Sequence, residues 1–299
     1  MTKTNPELKR AFLELHASIL LAGWTGVFGK LISLSAGLLV FWRVAVASAL
    51  FCLWASISRR VERSSAGERI GMMLVGVLLL MQWTLFYAAI KASNVSIGVV
   101  AFSSVGFFTA LLEPLIARRA VRLQEILFSI ITILGIALIF RFDAQYRLGI
   151  LFGLASAAAS ALLAIFFRQY RARFSAVTVL HWQLLGALAA SLALLPLYRG
   201  LMPPEPFFPE APDLAYLLIF ATLCTIGMYL LQIQALERIS AFTVNLSYNL
   251  EPVYSILIAM ILFDEARALN WSFWTGLLLI GASVLLQTGS VLRAARRAS

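Results

Sequence analysis

The chain has 299 residues, of which 61% are hydrophobic and only 13% are charged. A soluble domain is closer to half apolar and a quarter charged, so this composition excludes a single soluble core and favours a membrane protein. The net charge of +10 would suit a nucleic-acid partner, but the basic residues stand in short clusters between apolar runs, so we expect no nucleic-acid binding.

Apolar runs of about 20 residues follow one another along the chain, and each is long enough to cross a bilayer as a helix. Alternation with a period of two residues is absent, which argues against strands. We therefore predict an all-α integral membrane protein with ten transmembrane helices. The ten predicted spans are 12–31, 38–57, 71–91, 95–116, 124–141, 148–168, 177–197, 213–235, 240–262 and 271–292.

The lysines and arginines orient these spans, because cytoplasmic loops carry an excess of both. With the N-terminus inside, 17 of the 24 fall in cytoplasmic segments, six fall in outer loops, and Arg43 falls within a span. Both termini are predicted to be cytoplasmic. This topology accounts for the basic charge balance without nucleic acid.

The two halves of the chain resemble each other. A shift of 146 residues places Ala89 on Ala235, and a shift of 140 places Trp42 on Trp182. Five helices per half is an odd number, so the second half enters from the opposite side, as in the inverted repeats of transporters. We predict a cytoplasmic segment over 1–11, five-helix repeats over 12–141 and 148–292, and a basic cytoplasmic tail over 293–299.

The ninth span contains SYNLEPVYSIL, residues 247–257, in which a carboxylate and a proline interrupt an apolar run. Asn245, Tyr248, Asn249 and Pro252 share one helix face by their spacing. The proline should leave the carbonyl of Tyr248 without a helical partner. This stripe could line a cavity for a solute with a polar head and an apolar body, or it could hydrogen-bond to a neighbouring helix.

Two charged residues lie at membrane depth, where a bare charge is costly. Glu251 could bind a substrate ammonium group, carry a proton, or brace a neighbouring helix, and we favour bracing. Arg43 could hold a substrate carboxylate, pair with a carboxylate such as Glu251, or extend to the surface. For Arg43 we favour pairing or extension to the surface.

Further candidates for the substrate-binding wall carry aromatic, amide or hydroxyl groups. Aromatic side chains in spans also face lipid or pack within the bundle, so packing is the alternative for each. Trp42 and Trp182 could close the cavity alternately from the two sides, or they could belong to the aromatic belts at the membrane surface. The candidates for the wall are Trp24, Phe28, Gln82, Phe86, Phe102, Ser103 and Tyr229.

The sequence RISAFTVNLSYNLEPVYSILIAMILFDE in the ninth span and GLLLIGASVLL in the tenth resemble the EamA family of the drug/metabolite transporter superfamily. Within that family the chain is most similar to the YddG-type exporters of aromatic amino acids. The resemblance covers about residues 10–292. It implies a transporter of the bacterial inner (plasma) membrane with no cofactor and no metal. The first half departs from the pattern, with Gly106 at the proline position.

An exporter of small amphipathic metabolites is therefore the predicted function, and an amino acid with an aromatic or apolar side chain is the favoured solute. The alternative is a carrier of drugs or other metabolites in the same superfamily. A sugar-phosphate carrier would need at least two buried basic residues, whereas only Arg43 qualifies. A membrane-embedded enzyme would need a clustered nucleophile, base or metal set, which the sequence does not supply. The expected partners are the substrate and the lipid bilayer, with no obligate protein partner.

Overall fold

The computed structural model describes residues 6–117, 144–202, 204–236 and 247–298, together with residues 127, 130–131, 133–135, 137–138 and 238. Every regular element of this described part is helical. The helices are α1 Pro6–Leu31, α2 Ala36–Ile57, α3 Ala66–Ala92, α4 Val95–Phe102, α5 Val105–Ala117, α6 Arg147–Arg171, α7 Ala176–Leu201, α8 Ala211–Ala221, α9 Met228–Leu236, α10 Glu251–Phe263 and α11 Trp271–Ala298.

Four of these helices begin where the sequence places a serine or asparagine before an apolar run. The side chains of Ser35, Asn94 and Ser175 each accept a hydrogen bond from a backbone N–H in the first turn of the helix that follows. Ser65 and Glu68 form a reciprocal capping box at the start of α3. These caps satisfy backbone donors that would otherwise lack a partner at the helix ends.

Seven helical segments in the described part are long and apolar enough to cross a membrane, against the ten predicted. The predicted fifth span, 124–141, lies largely outside the described residues, as does the beginning of the ninth. Helices Glu251–Phe263 and Trp271–Ser283 are apolar but shorter. The seven segments are Lys9–Leu31, Ala36–Ile57, Ala66–Ala92, Val95–Ile116, Arg147–Arg171, Ala176–Leu201 and Ala211–Gln232.

Within the described residues, three of the predicted spans are not continuous α-helices. Residues Ser103 and Ser104 separate α4 from α5, and a 3-10 turn at Tyr248–Leu250 precedes α10. Under the 146-residue shift of the sequence analysis, Ser103 corresponds to Asn249, which lies within this 3-10 turn. A π-helical turn, Thr222–Gly227, separates α8 from α9. Interrupted membrane helices are typical of transporter binding sites.

The sequence predicts that Pro252 removes the α-helical partner of the Tyr248 carbonyl, and the structure has a 3-10 turn just before this proline in place of an uninterrupted α-helix. The proline stands in the first turn of α10, where its missing N–H removes no helical hydrogen bond. The carbonyl of Tyr248 is also not left without a partner, because it accepts a hydrogen bond from the N–H of Glu251. The 3-10 turn thus gives the Tyr248 carbonyl a hydrogen bond that an uninterrupted α-helix would have lost at Pro252.

Helix α3 packs against α6 and α7, and α1 packs against α9 and α10, so helices from the first half meet helices from the second. The contact between α3 and α7 is close because glycines face it. A Cβ atom on Gly76 would overlap the carbonyl oxygen of Gln183, and one on Gly186 would overlap the backbone of Met73. Small residues at such crossings let two membrane helices approach closely.

We expect Gly76→Ala to destabilise the protein by about 1–3 kcal/mol, because the added methyl group must push α3 away from α7. The measurement is the thermal unfolding temperature of the purified protein in detergent. Gly67→Ala is the matched control, since it lies in the same helix and its added methyl group would meet no neighbouring group within 4 Å. Equal unfolding temperatures for the two variants would contradict the close crossing.

A buried carboxylate joins the two halves at the predicted outer end of the molecule. Glu265 follows α10, is 3% exposed, and accepts hydrogen bonds from Ser96 Oγ at 2.7 Å and from the backbone N–H groups of Ser96 and Val95. Lys30 at the end of α1 forms an ion pair with it at 2.9 Å. Burial raises the pKa of Glu265, but these hydrogen bonds outweigh burial and hold the pKa below its ordinary value.

Candidate functional site

A cavity of about 220 Å³ lies between helices of the two halves. Its wall combines two charged groups with amide, hydroxyl, phenol, aromatic and aliphatic side chains. Apolar walls with a few placed polar groups are characteristic of small-molecule sites. The lining residues are Ala22, Thr25, Arg43, Leu79, Gln82, Trp83, Phe86, Tyr87, Phe102, Ser160, Leu163, Met228, Tyr229, Gln232, Tyr248 and Glu251.

Arg43 of α2 is 3% exposed, so its predicted extension to the membrane surface is wrong. Its Nε donates to Thr225 Oγ1 at 3.1 Å, and its Nη1 donates to the Tyr87 hydroxyl at 2.7 Å. The guanidinium carbon lies 3.7 Å from the ring centre of Trp83 and 4.2 Å from that of Phe220. Hydrogen bonds and aromatic contacts together compensate for burying this charge.

The guanidinium group of Arg43 carries five N–H donors, and two of them are used by these bonds. The other three have no hydrogen-bond partner among the residues that the structure describes. Because Arg43 also lines the cavity, unused donors are available to a bound anion. Arginine binds carboxylates well because two of its parallel N–H groups match the two carboxylate oxygens.

Glu251 begins α10 and lines the same cavity. Within the described part of the chain, its carboxylate makes no ion pair with Arg43 or any other residue, so the predicted Arg43–Glu251 pair is not formed as a direct contact. The N-terminal position favours a negative charge, because the helix dipole is positive at that end. The cavity wall therefore carries a guanidinium group and a carboxyl group that make no direct contact with each other among the described residues.

Five of the ten candidates for the substrate-binding wall line this cavity, and they come from both halves. Gln82, whose side-chain amide donates to Ser156 Oγ at 3.3 Å, also has its backbone carbonyl bonded to that hydroxyl. Tyr248 donates its hydroxyl proton to Ser18 Oγ at 3.1 Å, which ties the turn before α10 to α1. The five residues are Gln82, Phe86, Phe102, Tyr229 and Tyr248.

Three other candidates lie outside the cavity wall. Trp24 packs on Phe28 with ring centres 6.1 Å apart, and Phe28 stacks on Phe220 at 5.4 Å. Ser103 bonds the carbonyl of Val99 in its own helix. These contacts match the packing alternative for the aromatic pair. The two remaining candidates, Asn245 and the side chain of Asn249, lie outside the described residues.

Several lining residues have no counterpart among the predicted site residues. Trp83 and Tyr87 stand next to the predicted face of Gln82 and Phe86, so a wider stripe on α3 would have included them. Ser160 of α6 gave no such signal. It belongs to a run of alanines and serines that is typical of close packing between helices. Its place on the cavity wall depends on the neighbouring helices.

Neither tryptophan predicted as a gate lines the cavity. Trp42 donates its indole N–H to the Phe207 carbonyl at 2.8 Å and packs against the Phe207 and Phe208 rings at 5.3 and 5.8 Å. The buried indole nitrogen of Trp182 has no hydrogen-bond partner in the described part of the chain. The ring of Trp182 meets His181 edge-on at 5.2 Å.

If the two tryptophans close opposite ends of the cavity, their alanine variants should change accessibility in opposite directions. A single cysteine at Ser160 on the cavity wall would be probed with an impermeant thiol reagent from each side. The background would lack Cys52 and Cys224, which form no disulfide. Trp42→Ala should raise labelling from outside severalfold, and Trp182→Ala should raise labelling from inside.

The matched control for the gate variants is Trp271→Ala, since that ring is 86% exposed and cannot close a cavity. It should label like the parent protein. A change in the same direction for Trp42→Ala and Trp182→Ala, or no change in either, would assign both rings to the aromatic belts.

Comparison with known proteins places this architecture in a family. The sequence pattern of the EamA-like transporter family matches the chain twice, over residues 11–141 and 147–289. A solved structure, described only as the crystal structure of a protein, aligns over 92% of this chain and 96% of its own, with a TM-score of 0.61 and 18% identity. At that identity the likeness concerns the fold. No curated protein matches the sequence.

Proposed function

Because the chain belongs to the EamA-like transporter family, a family of membrane transporters in the drug/metabolite transporter superfamily, we propose that it exports small amphipathic metabolites by alternating access. Amino acids with aromatic or apolar side chains are the favoured solutes. The observation that carries this proposal is the presence of Arg43 and Glu251 on one cavity wall without a direct ion pair between them.

An amino acid at neutral pH carries a carboxylate and an ammonium group next to each other. In the proposed complex, the unused N–H donors of Arg43 bind the carboxylate and the carboxylate of Glu251 binds the ammonium group. The side chain then lies against the aromatic part of the wall, formed by Trp83, Phe86 and Phe102. Each half of such a solute has a chemical counterpart in the cavity.

The size of the cavity favours a metabolite over the alternative drug-like solute. Its volume of about 220 Å³ is below the 300–1,000 Å³ typical of sites for drug-sized ligands. A phosphorylated sugar is also a poorer fit, because Arg43 is the one basic side chain that the described cavity wall offers to a dianion. A drug carrier of the same superfamily remains the second candidate, and it would transport cations that lack a carboxylate.

Alternating access is proposed from the two halves and their interruptions. The breaks at Ser103–Ser104 and at Tyr248–Leu250 fall at equivalent positions and flank the cavity. Inverted repeats of this kind can exchange conformations and open a central site to either side. We further propose that the protein resides in a bacterial inner membrane with both termini cytoplasmic, and that it needs no cofactor and no obligate protein partner.

The test is uptake of labelled amino acids into proteoliposomes that contain the purified protein, with protein-free liposomes as the control. A time course and chromatography of the recovered label separate transport from chemistry. Saturable uptake of unchanged phenylalanine, tryptophan or leucine supports the proposal. Recovery of a chemically altered product would indicate an enzyme, and uptake of cationic drugs without amino acids would indicate the second candidate.

A further inference from the structure

The π-helical turn Thr222–Gly227 is an irregular segment of the eighth span, and it lies beside the buried arginine. A π-helical turn holds more residues than an α-helical turn, so it changes the face on which the next side chains stand. Such turns are uncommon inside α-helices and frequently occur at functional sites. The irregularity here coincides with one contact, between Thr225 and Arg43.

Thr225 is 1% exposed, and its hydroxyl group has a defined orientation. The hydroxyl donates to the carbonyl of Phe220, five residues earlier, at 3.3 Å. A threonine hydroxyl has one proton, so only its lone pairs remain for Arg43. Thr225 is therefore a fixed acceptor for the Nε–H group of Arg43, which lies 3.1 Å away.

A second acceptor, the hydroxyl of Tyr87, holds Nη1 of the same guanidinium at 2.7 Å. The guanidinium group is planar, so two anchored nitrogen atoms fix the orientation of the whole plane. The acceptors come from α3 in one half and from the π-helical turn in the other. The unused N–H donors of Arg43 consequently keep one direction relative to the cavity that this residue lines.

We propose that Thr225 is a positioning residue for substrate recognition: its hydroxyl group holds Arg43 so that the unused N–H groups of the arginine meet a substrate carboxylate. This inference rests on the proposed function, because it requires a carboxylate-bearing solute in the cavity. Thr225 acts through Arg43 and does not itself touch the solute. Its removal should therefore impair recognition of the carboxylate and leave recognition of the rest of the solute intact.

The experiment compares phenylalanine with phenylethylamine, which lacks the carboxylate, in counterflow into proteoliposomes. Thr225→Val removes the hydroxyl and keeps the shape of the side chain. It should raise the KM for phenylalanine about tenfold, since a lost hydrogen bond to a charged group has that effect. Phenylethylamine should inhibit the residual exchange at the same concentration as in the wild type. Thr225→Ser restores the hydroxyl and should restore the wild-type KM.

Thr222→Val is the matched control, because Thr222 stands in the same turn and, among the described residues, its hydroxyl group bonds the Leu218 and Ile219 carbonyls of its own helix and not Arg43. It should transport like the wild type. If Thr225→Val fails to fold, Tyr87→Phe removes the second acceptor and should give the same split between the two compounds.

Two results would overturn the positioning role: a wild-type KM for phenylalanine in Thr225→Val, or an equal loss for phenylalanine and phenylethylamine. Both would leave the proposed function standing, since wild-type exchange would still be observed. Absence of phenylalanine exchange in the wild-type protein would instead refute the proposed function, and the positioning role with it.

Discussion

Replacing Arg43 by glutamine is expected to lower the kcat/KM for transported amino acids by about 10- to 100-fold. Glutamine cannot offer the two parallel, charged N–H groups that a carboxylate accepts, and a hydrogen bond to a charged group contributes about 1.5–3 kcal/mol. Transport rates over a range of phenylalanine concentrations in proteoliposomes give this value. Inhibition by phenylethylamine, which has no carboxylate, should change much less.

Arg43→Lys is the conservative control for this prediction. It keeps the charge, but its single ammonium group cannot bond Thr225, Tyr87 and a carboxylate in the same planar arrangement. We expect an activity between those of the wild type and Arg43→Gln. Wild-type transport of phenylalanine by Arg43→Gln, in protein that reaches the membrane, would mean that this arginine is only a packing element.

Replacing Glu251 by glutamine should produce the complementary defect. The neutral amide cannot neutralise a substrate ammonium group, so we expect the kcat/KM for phenylalanine to fall about tenfold or more. Inhibition by 3-phenylpropionate, which lacks the ammonium group, should persist or become stronger, because the variant no longer places a carboxylate at residue 251 that repels the carboxylate of this inhibitor. Competition curves in proteoliposomes measure both effects.

Glu113→Gln serves as the control for Glu251→Gln, because Glu113 pairs with Arg168 at the surface of the bundle and lies outside the cavity. It should retain wild-type kinetics for both compounds, since surface ion pairs contribute little. If Glu251→Gln weakens phenylalanine and 3-phenylpropionate equally, Glu251 has a structural role in α10 and does not bind the ammonium group.

Much of the helical framework could be predicted from the sequence because each span is a continuous apolar run. The uninterrupted helices α2, α3, α6 and α7 lie within a few residues of the predicted spans. The interruptions could not be predicted in the same way. Neither Ser103 nor Ser104 is a proline or a glycine, and the sequence TLCTIG of residues 222–227 shows no pattern that distinguishes a π-helical turn from an α-helical one.

The sequence predicts which site residues share a helix face, but it does not predict which neighbouring residues that face contacts. Helical spacing groups Gln82 with Phe86 on α3, and both line the cavity, yet the same reasoning places Trp24 and Phe28 on the cavity wall, where they do not lie. Spacing within one helix says which residues share a face, but it does not say which neighbouring helix that face meets. The stack of Phe28 on Phe220 joins residues that are far apart in sequence.

Arg43 shows the same limit most clearly. A lone arginine within a span is a functional candidate on sequence grounds alone. Whether its guanidinium group extends to the membrane surface, forms an ion pair or faces the substrate depends on Tyr87 and Thr225. These residues are 44 and 182 positions away in the sequence. Only the folded chain brings these acceptors together and leaves part of the guanidinium group facing the cavity.

The central claim is that one cavity recognises both charged ends of an amino acid. Its most direct test is counterflow of labelled phenylalanine by the wild-type protein, with phenylalanine, phenylethylamine and 3-phenylpropionate as unlabelled competitors. We expect phenylalanine to compete at a concentration at least about tenfold lower than either analogue, since each analogue leaves one buried charge without its partner. Equal competition by phenylethylamine and phenylalanine would contradict the claim and favour a carrier of amphipathic cations.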